Sequence, residues 1–243
     1  IAAGRLGLAA IILLPIAWSR ASAELRGLSR RDLALGVLSG VFLAVHFAAW
    51  ISSLAYTSVA SSVALVSTNP LWVALLSAIL LRERLSWSTM AGVSLTVSGS
   101  ILIGVSDGSG PDSGNALLGN GLALLGALGG SIYFLVGRNL RRHVSVLAYI
   151  WLVYTSAAIV LLLLALAIGG VANPIALFGG YPPLAYLLLA GLAIGPQLLG
   201  HTAFNWSLRY LSATFVTIAL LGEPIGSALL ALLFFGEWFA PLQ

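Results

Sequence analysis

The chain has 243 residues, of which 60% are hydrophobic and only 7% charged, with a mean hydropathy of +1.05. Soluble domains are about 25% charged, so an aqueous globular enzyme is all but excluded. The 11 basic residues, all arginine, outnumber the 7 acidic ones for a net charge of +4. A chain this apolar cannot keep a basic nucleic-acid patch in water, so the surplus is read as a membrane-topology signal. Cysteine is absent, which removes disulfides, cysteine metal sites and thiol chemistry.

A bilayer core about 30 Å thick needs roughly 20 mainly apolar residues per helix. Eight such windows follow one another, at about Leu6–Trp18, Leu33–Ala55, Ser61–Leu81, Trp87–Val105, Ala116–Gly137, Val146–Ile168, Leu184–Trp206 and Thr214–Phe235. The first is short, and a start at Ile1 with a stop at Gln243 just past an apolar span reads as a chain trimmed at both ends. The longest expected loops are Arg20–Asp32 and Ser106–Asn115, which leaves no room for a soluble domain.

If each window crosses once, alternate loops share a side. One side then holds Arg20, Arg26, Arg30, Arg31, Arg82, Arg84, Arg138, Arg141, Arg142 and Arg209, and the other holds Arg5 alone. Arginine in short loops marks the cytoplasmic face, so the loop with Asp107 and Asp112 is expected outside. The expected location is the cytoplasmic membrane, multi-pass, and arginine without lysine fits a prokaryotic source.

Sliding the chain on itself gives a gapless match at an offset of 154 residues, laying SLAYTSVASSVALVSTNPLWVALLSAILLRERLS from Ser53 over SLRYLSATFVTIALLGEPIGSALLALLFFGEWFA from Ser207. Leucine and alanine matches are cheap in such a composition, but Tyr56, Pro70 and Glu83 also fall on Tyr210, Pro224 and Glu237. Five spans separate the copies, so equivalent helices run in opposite directions. Inverted repeats of this kind support alternating access about a midplane site. The expected organisation is an all-α polytopic membrane helix bundle of two inverted five-helix repeats, residues 1–110 and 111–243, forming one integrated membrane domain. Ten helices complete it; eight are present, with one expected before Ile1 and one after Gln243.

With Arg5 at the head of a short first span, the SLAYTSVASSVALVSTNPLWVALLSAILLRERLS run, and GEPIGSALLALLFFGEWFAP near the end, the chain resembles the EamA-type carriers of the drug/metabolite transporter superfamily. In both repeats the family shows a proline in mid-helix and a glutamate just after the helix ends, matched here by Pro70 with Glu83 and Pro224 with Glu237. The resemblance implies export of small metabolites, amino acids or drugs across the cytoplasmic membrane, in many members thought to be driven by protons. Its motifs are architectural and specify the fold better than the substrate.

Glu223 is the only formally charged residue inside the eight windows. A carboxylate at midplane costs about 2.5–3.5 kcal/mol on insertion scales, and Pro224 frees a carbonyl one turn earlier; the pair can serve substrate or proton coupling, or Glu223 can be a protonated structural group. Gln197, His201 and Asn205 recur every four residues on the seventh window, while His46, Trp50 and Ser53 share a face of the second. Each histidine reads either as an interhelical hydrogen bond or as a cavity lining. Asn69 is the uncharged repeat equivalent of Glu223. Trp151, Tyr154 and Thr155 share a face of the sixth window, as cavity wall or interfacial anchors. Glycine pairs at four-residue spacing, Gly36/Gly40, Gly126/Gly130, Gly191/Gly195 and Gly222/Gly226, point to close helix packing. The run GNGLALLGALGG from Gly119 has neither a preceding strand nor GK[ST], so it is a helix and not a phosphate loop.

The leading expectation is a secondary active transporter, not an enzyme, with no cofactor, metal or catalytic residues. Its partners are a small-molecule substrate, the proton as candidate co-substrate, the lipid bilayer and a second copy as candidate homodimer; nucleic acid is not among them. The alternatives are a phosphate-bearing solute carrier of the same superfamily, which needs basic groups within the spans, and an intramembrane enzyme, which needs a nucleophile–base pair or metal cluster. No arginine lies within any of the eight windows, which favours a neutral, zwitterionic or cationic solute.

Overall fold

A computed structural model describes residues 1–80, 86–106, 115–169 and 177–236. Arg82, Glu83, Arg84, Asp107, Asp112 and Glu237 lie outside the described residues, as does the side chain of Pro224.

Every regular element among the described residues is helical: α1 (Ala2–Gly27), α2 (Arg30–Ser53), α3 (Val59–Val66), α4 (Asn69–Leu80), α5 (Trp87–Ser106), α6 (Ala116–Leu140), α7 (Val146–Gly169), α8 (Pro183–Leu192), a π-helical segment (Ala193–His201), α9 (Thr202–Ser207), α10 (Ala213–Ala219), a 3-10 turn (Leu220–Gly222) and α11 (Glu223–Phe235). Seven stretches are long and apolar enough to cross a membrane, and α5 fills the remaining expected window with 20 residues. The protein is an all-α, multi-pass membrane bundle.

The expected loop at Arg20–Asp32 is mostly helix. α1 runs on for 26 residues to Gly27, because Ser19–Arg26 is rich in Ala, Arg, Glu and Leu, which favour helix whatever their polarity. The Arg26 guanidinium turns back onto Ser22, 3.2 Å from its carbonyl and 3.3 Å from its hydroxyl. Ser29 then caps α2: its hydroxyl accepts from the Asp32 amide at 3.1 Å, as an N-cap serine does, and donates to the Asp32 carboxylate at 2.7 Å.

Two expected single spans are broken, at matching places. α3 ends at Val66 and α4 starts at Asn69, while α10 ends at Ala219 and α11 starts at Glu223 after a 3-10 turn. Adding 154 takes Asn69 to Glu223. Each break precedes a proline at the second position of the new helix, where a missing N–H is tolerated, and proline denies a partner to the carbonyl four residues back, Val66 or Leu220. The caps correspond as well: Ser58 accepts from the Ser61 amide at 3.2 Å and Ser212 from the Phe215 amide at 3.1 Å. Packing is crosswise, α3 against α11 and α10 against α4.

Contacts gather the chain into two compact units, residues 1–44 with 136–211, and residues 45–135 with 212–243. α2 and α6 each pass from one unit to the other. In the first unit α1 packs along α7 through a stripe headed by Arg5 and continued by Ala9, Leu13, Ala17 and Ala21, all buried. Gly36 and Gly40 let α2 approach α7: a Cβ on Gly40 would stand 2.6 Å from Ser156 Cβ and 2.8 Å from the Val153 carbonyl oxygen. In the second unit a Cβ on Gly126 would meet the Trp50 backbone nitrogen and the His46 carbonyl, both at 3.3 Å, so the four-residue glycine spacing serves close helix approach at these positions; at Gly191, Gly195, Gly222 and Gly226 it does not, since no described atom comes within 4 Å of a Cβ there.

Candidate functional site

The seventh expected span is where local sequence most disturbs the helix. Pro196 would drive its ring into the preceding turn and leaves a carbonyl without its donor. The backbone answers by widening into a nine-residue π-helix, Ala193–His201, a form that recurs at functional positions. Gln197 sits inside this segment, fourteen positions after Pro183 and ten before Ser207 in a 25-residue membrane-length run, so it is deep in the span.

Gln197 is fully buried and faces Arg5, itself 5% exposed. Arg5 Nε donates to Gln197 Oε1 at 3.0 Å. Because a guanidinium only donates, that contact fixes the amide orientation and points Nε2 elsewhere; Nε2 is buried with no hydrogen-bond partner among the described residues. The Tyr154 hydroxyl donates to the Gln197 carbonyl at 3.4 Å and lies 3.4 Å from the Thr202 hydroxyl. Thr155 Oγ1 is likewise buried without a partner among the described residues. One turn on, Asn205 is fully buried and its Nδ2 donates to the His201 carbonyl at 2.7 Å. His201 is half-buried, its ring edge-on to Phe204 at 6.2 Å. Gln197, His201, Asn205 and Tyr154 are therefore gathered in the first unit.

This overturns one expectation. Arg5, assigned to an outer loop, lies within α1 and inside the membrane-length run Ala2–Gly27. The premise that no arginine lies within a span, and the preference for a neutral, zwitterionic or cationic solute drawn from it, do not hold. The physical reason is that a window chosen by hydropathy stops at a charge, whereas a helix continues wherever the charge finds a partner inside.

Arg141 is a second buried cation, 1% exposed. Its Nε donates to the Asn205 carbonyl at 3.0 Å, and an Nη donates to the Val144 carbonyl. Burial presses the guanidinium below its ordinary value, with Arg209 adding to the effect; an arginine stays cationic all the same. It ties the end of α6 to the last turn of α9, which is structural work.

In the second unit, His46 Nδ1 is 2.8 Å from the Gly126 carbonyl. A carbonyl only accepts, so Nδ1 carries a proton. A Cβ on Gly130 would come within 2.9 Å of His46 Nδ1 and 3.1 Å of Asn69 Oδ1, so glycine is what lets these polar groups share one spot. Ser131 donates to Asn69 Oδ1 at 3.1 Å. Trp50 stacks beside His46 at 5.7 Å, and its indole N–H is buried without a partner among the described residues. Pro70 is buried in the first turn of α4. Glu223 opens α11 and is exposed, where the positive end of the helix dipole favours a carboxylate; its repeat equivalent Asn69 is buried.

The profile of the EamA-like transporter family matches residues 1–105 and 117–243. The chain belongs to the EamA-like transporter family. It is also 36% identical over 95 residues to the uncharacterized transporter YetK of Bacillus subtilis, a match that takes in 38% of this chain and 28% of that protein. A solved crystal structure superposes with a TM-score of 0.69 at 20% identity over 99% of this chain and 80% of that one; that likeness concerns the fold alone. For this EamA family member the sequence named Gln197, Asn205 and Tyr154 but missed Arg5 and Arg141. Arg5 had a signal: Ala9, Leu13, Ala17 and Ala21 follow it at four-residue spacing, so a helix drawn through the stripe puts Arg5 on the buried face. Arg141 had none to separate it from Arg138 and Arg142.

Proposed function

We propose that the protein is a secondary active transporter that exports a small solute across the cytoplasmic membrane by alternating access. Family membership supports a membrane transporter. The mechanism rests on the two matched helix breaks, 154 residues apart, with equivalent serine caps and crosswise packing of α3 on α11 and α10 on α4. Such a pair is what two inverted repeats produce, and two broken helices that can exchange roles are the physical requirement for rocking between inward and outward openings. The two matched stretches of the family profile flank the proposed junction near residue 110. We assign solute handling to Gln197, His201, Asn205 and Tyr154 of one unit and to His46, Trp50 and Asn69 of the other, and proton coupling to Glu223.

The test is counterflow in liposomes with the full-length protein across a panel of metabolites, amino acids and drugs. Saturable exchange is expected; turnover of a solute in detergent, with no membrane gradient, overturns the carrier. For coupling, Glu223→Gln is expected to abolish proton-driven uptake while leaving exchange at equal pH on both sides. Proton-driven transport that survives the substitution removes Glu223 from the coupling role.

A further inference from the structure

We infer that the break between α3 and α4 binds an alkali-metal cation, held by the carbonyls of Val66 and Ser67 and by the Ser67 hydroxyl. The first support is where the amides of the break go. The Ser67 amide donates to the Val63 carbonyl at 3.0 Å, Thr68 to Leu65 at 3.2 Å and Leu71 to Thr68 at 3.0 Å, while Pro70 has no N–H to offer Val66. The carbonyls of Val66 and Ser67 therefore receive no amide among the described residues. Ser67 keeps a negative φ and a ψ near zero, so both oxygens stay at the C-terminal end of α3, where unmatched carbonyls carry partial negative charge. The positive end of α4 begins close by, but it is weakened, because proline removes one first-turn amide and the Leu71 amide is turned onto Thr68.

The second support is the hydroxyl. Ser67 is 3% exposed, and its Oγ is buried with no hydrogen-bond partner among the described residues. A polar oxygen shut away from water and left unpaired is costly, and a coordinated cation removes that cost. Thr68 gives the contrast: its Oγ1 donates to the Leu65 carbonyl at 2.7 Å and accepts from the Trp72 indole at 3.1 Å, so it is already engaged.

The matched break supplies an internal comparison. There the Glu223 amide, three residues on, takes the Leu220 carbonyl, and the position equivalent to Ser67 is Leu221, which has no side-chain oxygen. The open carbonyl and the serine occur together at the first break and not at the second.

Charge points the same way. The described residues of this unit include no lysine or arginine, and their one acid, Glu223, opens the helix that packs against α3. Ligands that are all neutral oxygens suit a single positive charge, whereas calcium and magnesium draw on carboxylates. Unwound carbonyls at half-helix ends are a recurring cation device in carriers with broken helices.

The experiment follows thermal unfolding of the full-length protein in detergent, in sodium, potassium and choline chloride at equal ionic strength. A ligand of the folded state stabilises it by mass action, so an ion in about tenfold excess over its Kd is expected to raise the melting temperature by about 3–5 °C above that in choline. Equal melting temperatures in the three salts overturn the site and leave an ordered water as the partner of the hydroxyl. Ser67→Ala is expected to abolish the ion-dependent increment and to leave the melting temperature in choline unchanged or slightly higher, since it removes an unpaired buried oxygen; Ser67→Thr keeps the oxygen and the increment. Pro70→Ala returns an N–H to the Val66 carbonyl and is expected to move the midpoint of the increment to about tenfold higher ion concentration. A Ser67→Ala variant that keeps the increment shows the effect of salt to be nonspecific, and one that fails to fold or loses stability equally in every salt makes the hydroxyl structural; either result overturns the assignment.

Discussion

At the scale of single residues, Arg5 and Arg141 show how one side chain takes two roles in a membrane. Both are buried. Arg141 spends Nε and an Nη on the carbonyls of Asn205, in the last turn of α9, and Val144, in the bend before α7. Arg5 instead meets a side-chain amide deep in a span. Arg141→Leu strands two buried carbonyls and is expected to cost about 2–5 kcal/mol, read as a lower melting temperature in detergent, with half-saturation of transport unchanged in the fraction that folds. Arg141→Lys restores part of it. A melting temperature equal to the parent's would show that solvent satisfies those carbonyls. The polar stripe Gln197, His201, Asn205 was legible because residues four apart share a helix face, a spacing that the wider π turn also tolerates. Arg5 was passed over despite the stripe that follows it, because a hydropathy window treats any charge as a boundary.

At the scale of elements, glycine contacts and helix breaks decide which faces meet. Gly40 has no space for a β-carbon against Ser156 and the Val153 backbone, whereas Gly191 has nothing within 4 Å. Gly40→Ala is therefore expected to destabilise by about 1–3 kcal/mol through overpacking against backbone that cannot yield, and Gly191→Ala to be neutral or slightly stabilising, since alanine is the better helix former. Thermal unfolding in detergent separates them; similar melting temperatures would mean α2 and α7 can spread apart at no cost. The glycine spacing announced close packing, but only the packed helices told Gly40 from Gly191. The breaks before Pro70 and Pro224 were half legible: proline marks the damaged turn, while the surroundings choose how it is repaired. Two residues leave the helix after Val66, a 3-10 turn bridges Ala219 to Glu223, and Pro196 opens a π-helix instead.

At the scale of the whole molecule, the arginine distribution predicts sidedness. Arg20, Arg26, Arg30, Arg31, Arg142 and Arg209 are all exposed, in loops or helix ends assigned to the cytoplasm. These 243 residues contain no cysteine, so single cysteines report cleanly. A membrane-impermeant maleimide on intact cells is expected to label Asn115→Cys and to spare Arg142→Cys until the membrane is opened; the reverse pattern inverts the topology. The multi-pass helical character and the 154-residue correspondence were legible in the sequence alone, because hydrocarbon imposes a length and a polarity on every crossing segment; the sidedness read from arginine placement is the expectation that the labelling checks. Tertiary structure decided what a one-dimensional pattern cannot encode. Arg5 counts as a loop residue or a buried helix residue according to whether a helix 192 positions away presents an amide to it, and that contact exists only once α1 and the π-helical segment pack together in one unit.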